Sequence, residues 1–337
     1  MISLVTMRSI LSVSLTALSI WPCLTQAQTW TGLANISIGT LQEHVTLLLS
    51  PTQLATVGGL VSNGSTTNLL LLYDIPSNTW KQGAPIPNTI NHANAAVHDG
   101  KIYLLGGLSG ASGWPATSNS WLYDPRKDSW SPLAPMPSPA ARGAAGTGIY
   151  NGTIYLGGGI LGLAGPTVDI VSAYEIASNK WIDLPALASR LPEARDHTGT
   201  TQIGSKLYIT GGRENGATNT KNTVFILDMA NVSAGWETAN GKMPAARGGL
   251  AAAAVGHRIY TFGGEGNTAL ATGVFDQTEV YDSISDTWER LPAMEVPRHG
   301  TSAVSVGGKV YIPGGAVVQG AGGTQVFDVF TPPARWA

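Results

Sequence analysis

The stretch Lys101–Gly107, KIYLLGG, decides the architecture of this chain. An apolar run of strand character ends in two glycines, and the same ending recurs at Gly58-Gly59, Gly106-Gly107, Gly158-Gly159, Gly211-Gly212, Gly263-Gly264 and Gly314-Gly315. Five copies carry a tyrosine three positions before the first glycine (IYLLGG, IYLGGG, LYITGG, IYTFGG, VYIPGG), whereas the first copy, LATVGG, has lost it. A tryptophan follows each of the first five pairs, at Trp80, Trp130, Trp181, Trp236 and Trp288, usually behind an aromatic-acid pair such as Tyr73-Asp74, Tyr123-Asp124 or Tyr281-Asp282. A period of about fifty residues, built from short β-type runs and turn residues, is the signature of one four-stranded blade per repeat. Six copies therefore predict an all-β, six-bladed propeller. Strand glycines let backbones approach where wedge-shaped sheets crowd an axis, and the spaced Tyr and Trp side chains fill the gaps between twisted sheets.

The two ends of the repeat array predict how the ring closes. TWTGLANISIG (29–39) resembles the fourth-strand segments SWSPLAPMPSP and TWERLPAMEVP, yet no first three strands precede it. The sixth repeat runs through VYIPGG and TQVFDVF and then meets PPARWA, which leaves no room for a fourth strand. Thr29 to Ile38 is thus expected to complete the last blade against the strand near Val326 to Phe330, which removes the exposed edges of an open sheet stack.

Composition bounds the partners. The 337 residues are 43% hydrophobic and only 12% charged, with a formal net charge of −2 and no basic or acidic run. That excludes nucleic acid and anionic membrane surfaces as expected partners. Met1 to Arg8 carries one positive charge, Ser9 to Trp21 is mostly apolar, and Ala27 precedes a plausible cleavage point before Gln28, with Thr25 two positions upstream. Residues 1–27 read as a secretory signal peptide and 28–337 as a single propeller domain, with no membrane span once the signal is removed. The one cysteine, Cys23, falls inside that segment, so the mature chain is expected to lack thiol chemistry and disulfides. Sequons at Asn35, Asn63, Asn151 and Asn231 agree with a glycosylating pathway, and the expected location is extracellular or the lumen of a vesicle or vacuole.

These repeats resemble the kelch family, in which the glycine pair follows the second strand and the tryptophan opens the fourth; the likeness covers nearly all of the chain after residue 27. It implies that the loops entering each first strand and those following each glycine pair converge on one face. Indexing each repeat sixteen residues before its first glycine gives Gln42, Ile90, Arg142, Arg195, Arg247 and Arg298. His44, His92 and His197 lie two residues after their index and His299 one residue after. One reading has the arginines tying neighbouring loops together through carbonyls and carboxylates. The other has a polar ring at the channel mouth that grips a small molecule: Arg142, Arg195, Arg247, His44, His92 and Trp114 as binding residues, His197, His299 and Arg298 as catalytic ones. Glu43, Glu193 and Asp196 stand beside them. The loops after the glycine pairs add Arg213, Glu214, Glu265 and Phe275, while His98 and His257 sit in tight turns toward the opposite face.

No G-x-S-x-G elbow, P-loop, Rossmann fingerprint or H-E-x-x-H is present. The copper-radical oxidases with kelch propellers need a cysteine that the mature chain lacks, and the Glu-x3-Asp-x3-His spacing of iron-dependent specifier proteins is absent. No local ligand spacing marks a metal, so neither a metal nor a cofactor is expected. Three functions remain. The architecture resembles fungal proteins that include hetero-Diels–Alderases of tropolone-sesquiterpenoid biosynthesis, implying a cofactor-free cyclase in secondary-metabolite formation. It is also similar to six-bladed sialic-acid mutarotases, implying a carbohydrate ligand, and to protein-binding kelch modules.

Overall fold

The computed structural model describes residues 28–333. They form six four-stranded antiparallel sheets arranged as the blades of a propeller. Blade 1 comprises Val45–Ser50, Gln53–Val57, Leu70–Asp74 and Thr79–Gln82. Each later blade repeats that order, its first strands being Ala95–His98, Gly146–Tyr150, Gly199–Ile203, Ala251–Val255 and Val304–Val306. These first strands line the axis, each contacting the next, and Val304–Val306 meets Val45–Ser50 to complete the circle. Crowding explains their composition. A Cβ at Gly146 would lie 2.7 Å from Thr200 Oγ1, and one at Gly148 would lie 2.8 Å from Leu207 Cδ1.

The ring closes as the repeat array predicts. Thr29–Gly32 pairs antiparallel with Phe327–Thr331, with Trp30 opposite Phe330 and Gly32 opposite Asp328. The paired segment is shorter than the expected Thr29 to Ile38, because the chain leaves the sheet after Gly32 while Leu33 and Ile36 still donate to Phe327 and Gln325 carbonyls. Residues 1–27, with the expected signal and Cys23, lie outside the described part. Among the described residues no helix is long and apolar enough to cross a membrane.

Apolar clusters fill the seams between blades. Ile102, Leu104 and Tyr123 pack on Val57, Leu70 and Leu72 of the preceding blade, and Phe330 with Trp30 packs on Tyr260 and Phe262 in the same way across the seam between blades 5 and 6. A polar latch repeats over this core. In four seams one residue has both backbone groups held by the next blade. Ala34 donates to Asn78 Oδ1 and accepts from Trp80 Nε1, each at 2.8 Å, and Ala84 is held likewise by Asp128 and Trp130. Ala134 and Gly241 repeat the arrangement with Asn179 and Trp181, and with Asp286 and Trp288. The same Asn or Asp accepts the hydroxyl of Tyr73, Tyr123, Tyr174 or Tyr281. The recurring Tyr, Asx and Trp of these four repeats are thus one device that joins consecutive sheets.

The glycine pairs are docking points for the following blade. Gly315 donates to the Leu41 carbonyl at 2.8 Å, as Gly159 and Gly264 do to the Arg195 and Arg298 carbonyls. Gly314 has φ +61°, and a Cβ there would lie 2.5 Å from the Leu41 oxygen, so a side chain is barred by conformation and by contact together.

Candidate functional site at the end of the axial channel

The loops entering the first strands carry a ring built from backbone. Glu43, His92, Ala144, His197, Gly249 and Gly300 occupy equivalent places, all with φ between 49° and 62°. Around the axis, Glu43 donates to Gly300, His92 to Glu43, Ala144 to His92, Gly249 to His197 and Gly300 to Gly249, at 2.7–3.0 Å. The left-handed conformation is free for Gly249 and Gly300 but costs a side chain about 1–2 kcal/mol. Glu43, His92 and His197 are held there nonetheless, and residues kept in unfavourable backbone wells cluster at working sites.

The first repeat carries one residue more than the index assumes between its entrance and its glycine pair, the register of its first strand shifting between Leu48 and Ser50. Leu41, not Gln42, corresponds to the arginines, since its carbonyl takes the place of theirs opposite the glycine pair. Glu43 is therefore the equivalent of His92 and His197, and His44 is displaced from the ring. His44 is buried, donates through Nε2 to the Pro313 carbonyl at 3.1 Å, and is pushed down to about 4 by burial.

The arginines do not form the expected ring. Arg142, Arg195, Arg247 and Arg298 are at most 1% exposed and reach into their own blades. The sixteen-residue offset is the reach of this bond: Arg142 Nε, Arg195 Nη1 and Arg247 Nε donate to the Gly158, Gly211 and Gly263 carbonyls at 2.5, 3.0 and 2.7 Å. Arg298 donates to the Ile312 and Val296 carbonyls and to Asp328. Arg195 binds Glu193, Arg247 binds Glu279, and Arg142 is held by carbonyls and Ser172 Oγ, with burial lowering it to about 10. Arg298 is accordingly displaced from its catalytic assignment and the other three from substrate binding; spacing alone does not tell whether a side chain faces the axis or its own sheet. His98 and His257 are partly exposed beside Asp99 and Asp282, as expected of far-face turns.

What does gather at the axis is a buried ionisable cluster. His92 Nε2 lies 2.9 Å from His197 Nε2 and 3.2 Å from Glu43 Oε2. His197 Nδ1 is 2.5 Å from Asp196 Oδ1, and Arg213 extends Nε to Asp196, Nη2 to His197 Nε2 at 3.0 Å and Nη1 to Glu265. Thr167 donates to the other Asp196 oxygen. His299 Nδ1 is 3.8 Å from Glu43 and 3.5 Å from Glu265. Trp114, half-buried with φ +38°, leans on His92 at 5.8 Å between ring centres. Burial opposes the charge on Glu43, but His92, His197, His299 and Arg213 outweigh it and hold the carboxyl near 2. Asp196 is likewise brought to about 2, burial being overcome by His197 and Arg213. Burial drives His92 down to about 4.

From this cluster a channel of about 610 Å³ runs between the first strands. Glu43, His44, His92 and His197 line its end, and its walls are small: Ala144, Thr147, Thr200, Ala252, Thr301 and Ala303 among them. The structure brings His92, His197, His299 and Trp114 together at this end of the axis. Asp196 stands beside the entrance histidines in the sequence, whereas Arg213 and Glu265 stand out there only as loop residues, and their mutual contact arises because the residue after each glycine pair bridges the residue before each ring position: Asp196 with Arg213, Gly248 with Glu265, His299 with Ala316.

Ring closure, repeat and latch define the kelch type of β-propeller, and comparison with known proteins agrees. Residues 91–137 match the kelch motif and residues 165–315 match the KLHDC2/KLHL20/DRC7 kelch-repeats domain. The chain is 39% identical over 319 residues to the Kelch-like protein terF of Aspergillus terreus, covering 90% of this chain and 68% of that one. It is similar at 26% to Kelch domain-containing protein 3 of Bos taurus over 252 residues, and at 27% to Kelch-like protein 40 of Xenopus tropicalis over 158 residues. Those matches cover 68% and 46% of this chain, 64% and 24% of the relatives. The chain belongs to the kelch-repeat proteins.

Proposed function

We propose that this propeller binds a small organic molecule in its axial channel and cyclises it at the Glu43–His92–His197 end, as a hetero-Diels–Alderase of fungal secondary metabolism. The observation that carries the reading is the convergence of the buried cluster on a channel whose volume falls in the range of small-molecule cavities, about 300–1,000 Å³. Such a reaction asks little of the protein. Loss of water from a hydroxymethyl tropolone or phenol yields an oxygen-bearing diene, and addition to an alkene forms one C–O and one C–C bond with no net oxidation. The cluster moves the proton that releases water, and the narrow walls hold both partners in one orientation. The 39% identity to the Kelch-like protein terF of Aspergillus terreus supports a fungal setting. The carbohydrate alternative loses support, since the four arginines that would hold a sugar acid are occupied within their blades.

With a hydroxymethyl phenol or tropolone and a terpene alkene as probes, the expected result is faster, enantioselective adduct formation. His197→Ala is expected to lower turnover by about a hundredfold or more, and His98→Ala and His257→Ala to leave it unchanged. A racemic adduct formed at the same rate with and without protein would sink the reading.

The same proposal places the propeller in the secretory pathway after loss of residues 1–27. All four sequon asparagines are exposed. Chain secreted from its source is expected to begin at Gln28 and to lose mass on treatment with an amidase that strips N-glycans. A secreted or cellular chain that begins at Met1 and is unchanged by the enzyme overturns the placement.

A further inference from the structure

We propose that Glu43, His92 and His197 bind a divalent first-row transition-metal ion at this end of the channel. The three atoms Glu43 Oε2, His92 Nε2 and His197 Nε2 stand 2.9, 3.2 and 4.0 Å from one another. An ion held at about 2.0–2.2 Å from imidazole nitrogen and carboxylate oxygen fits between ligands so spaced. The ligands come from three different blades, which is why no spacing along the chain announces them.

Hydrogen bonding fixes the state of both rings. Thr66 Oγ1 donates to the Gly110 carbonyl, so it accepts from the Asn91 amide, and the Asn91 oxygen is left facing His92 Nδ1 at 2.5 Å. His92 therefore donates from Nδ1. His197 donates from Nδ1 to the Asp196 carboxylate. In neutral rings both Nε2 atoms then bear bare lone pairs, facing each other at 2.9 Å, and two acceptors at that distance repel unless a positive charge lies between them. An imidazole whose far nitrogen donates to a carboxylate or an amide oxygen is also the arrangement that orients histidine on a metal.

Two further observations are independent of that pair. Glu43, Asp196 and Glu265 surround Arg213, so with neutral imidazoles the cluster carries two uncompensated negative charges, which one divalent ion neutralises. His299 is fully buried and donates from Nε2 to the Val318 carbonyl, which leaves Nδ1 as an acceptor with no hydrogen bond, facing the carboxylates of Glu43 and Glu265. That orphaned atom, like the paired Nε2 atoms, asks for a cation nearby. Arg213 Nη2 now touches His197 Nε2 and yields that contact to the ion, while its bonds to Asp196 and Glu265 persist.

Two imidazoles and one carboxylate select zinc, iron, manganese, cobalt or nickel over magnesium and calcium, which prefer all-oxygen sites. Three protein ligands leave positions open toward the channel, where a substrate oxygen would be polarised. The ion would sit on the same residues to which the cyclase reading assigns proton transfer, but its binding does not rest on that reading. Titration of chelator-stripped full chain with zinc chloride by calorimetry reads metal binding without any turnover, so its failure leaves that reading untouched.

One zinc per chain is expected, no binding of magnesium, and at least a hundredfold weaker zinc binding in His92→Ala and His197→Ala. Asn91→Ala, which removes the orienting acceptor together with the amide's bond to Thr66, is expected to weaken it about 10–100-fold, and His98→Ala not at all. Cobalt added to the wild-type chain is expected to give a visible ligand-field band, a readout that needs no variant to fold. Absence of zinc binding and of the cobalt band, or zinc binding unchanged in both histidine variants, overturns the proposal and leaves protons as the balancing charge.

Discussion

Deletion of residues 28–36 is expected to abolish cooperative folding of the whole ring. The segment supplies the fourth strand of blade 6, pairing Thr29 to Gly32 with Phe327–Thr331. It also carries Trp30, which packs on Phe262 and Phe330 at 5.7 and 5.0 Å between ring centres. Its Ala34 holds the latch of the next blade through Asn78 and Trp80. The deletion therefore exposes the edge of blade 6 and opens the seam to blade 1 in a single step. No disulfide backs up the closure in residues 28–337, where cysteine is absent. Removing the Trp30 side chain alone, Trp30→Ala, is expected to cost about 3–5 kcal/mol as a large-to-small core change, and loss of the strand adds to that. Thermal melts by circular dichroism should show a lowered transition for Trp30→Ala and none for the deletion, with aggregation through the bared edge. A deleted chain that melts cooperatively near the wild-type temperature would show that the ring does not depend on its N-terminal strand.

Arg247→Ala is expected to destabilise by about 3–5 kcal/mol, because it strands a buried carboxylate. Arg247 and Glu279 are both 0% exposed, joined at 2.6 Å, and the guanidinium also binds the Gly263 and Ala245 carbonyls and Thr261. Arg290 approaches the other Glu279 oxygen at 3.6 Å from the surface and is too exposed to replace the lost partner. Replacing the pair together, Arg247→Met with Glu279→Leu, should recover much of the loss, since two apolar groups need no counter-charge. Urea unfolding measures both variants. Turnover per folded molecule is expected to remain at the wild-type level in Arg247→Ala; a hundredfold fall in turnover with unaltered stability would return the arginine to the ligand.

The fold was legible in the sequence because a propeller is a repeated instruction. KIYLLGG and its copies gave the blade count, and the orphan TWTG segment gave the closure, since pairing needs an edge and only one remained. The site was half legible. His92, His197 and His299 stood out as ionisable residues at blade entrances, but the arginines at sixteen residues were equally regular and serve the blade interior. Periodicity marks a shared structural task, and here the arginines perform it in blades 3 to 6 while the ring residues vary from blade to blade. The better signal was that irregularity: glycine at 249 and 300, where the left-handed backbone is free, against Glu43, His92 and His197, where it is not. One extra residue in the first strand of the first repeat hid Glu43 behind His44. The contacts among Arg213, Asp196 and Glu265 arise between different loops, and no reading along one repeat brings them together.

The ring of Glu43, His92, Ala144, His197, Gly249 and Gly300, joined by five main-chain hydrogen bonds and open only between Ala144 and His197, behaves as a turret. Its calibre does not change when a tool is exchanged, since each position presents its side chain from the same backbone geometry. Three sockets carry tools and three are plain. At Gly300 a Cβ would displace the Glu43 carboxylate, 2.5 Å away at Oε1, whereas Ala144 already bears a Cβ in the same conformation. A change of chemistry in such a protein is a matter of one codon at one socket, with the walls, the latches and the closing strand left as they are.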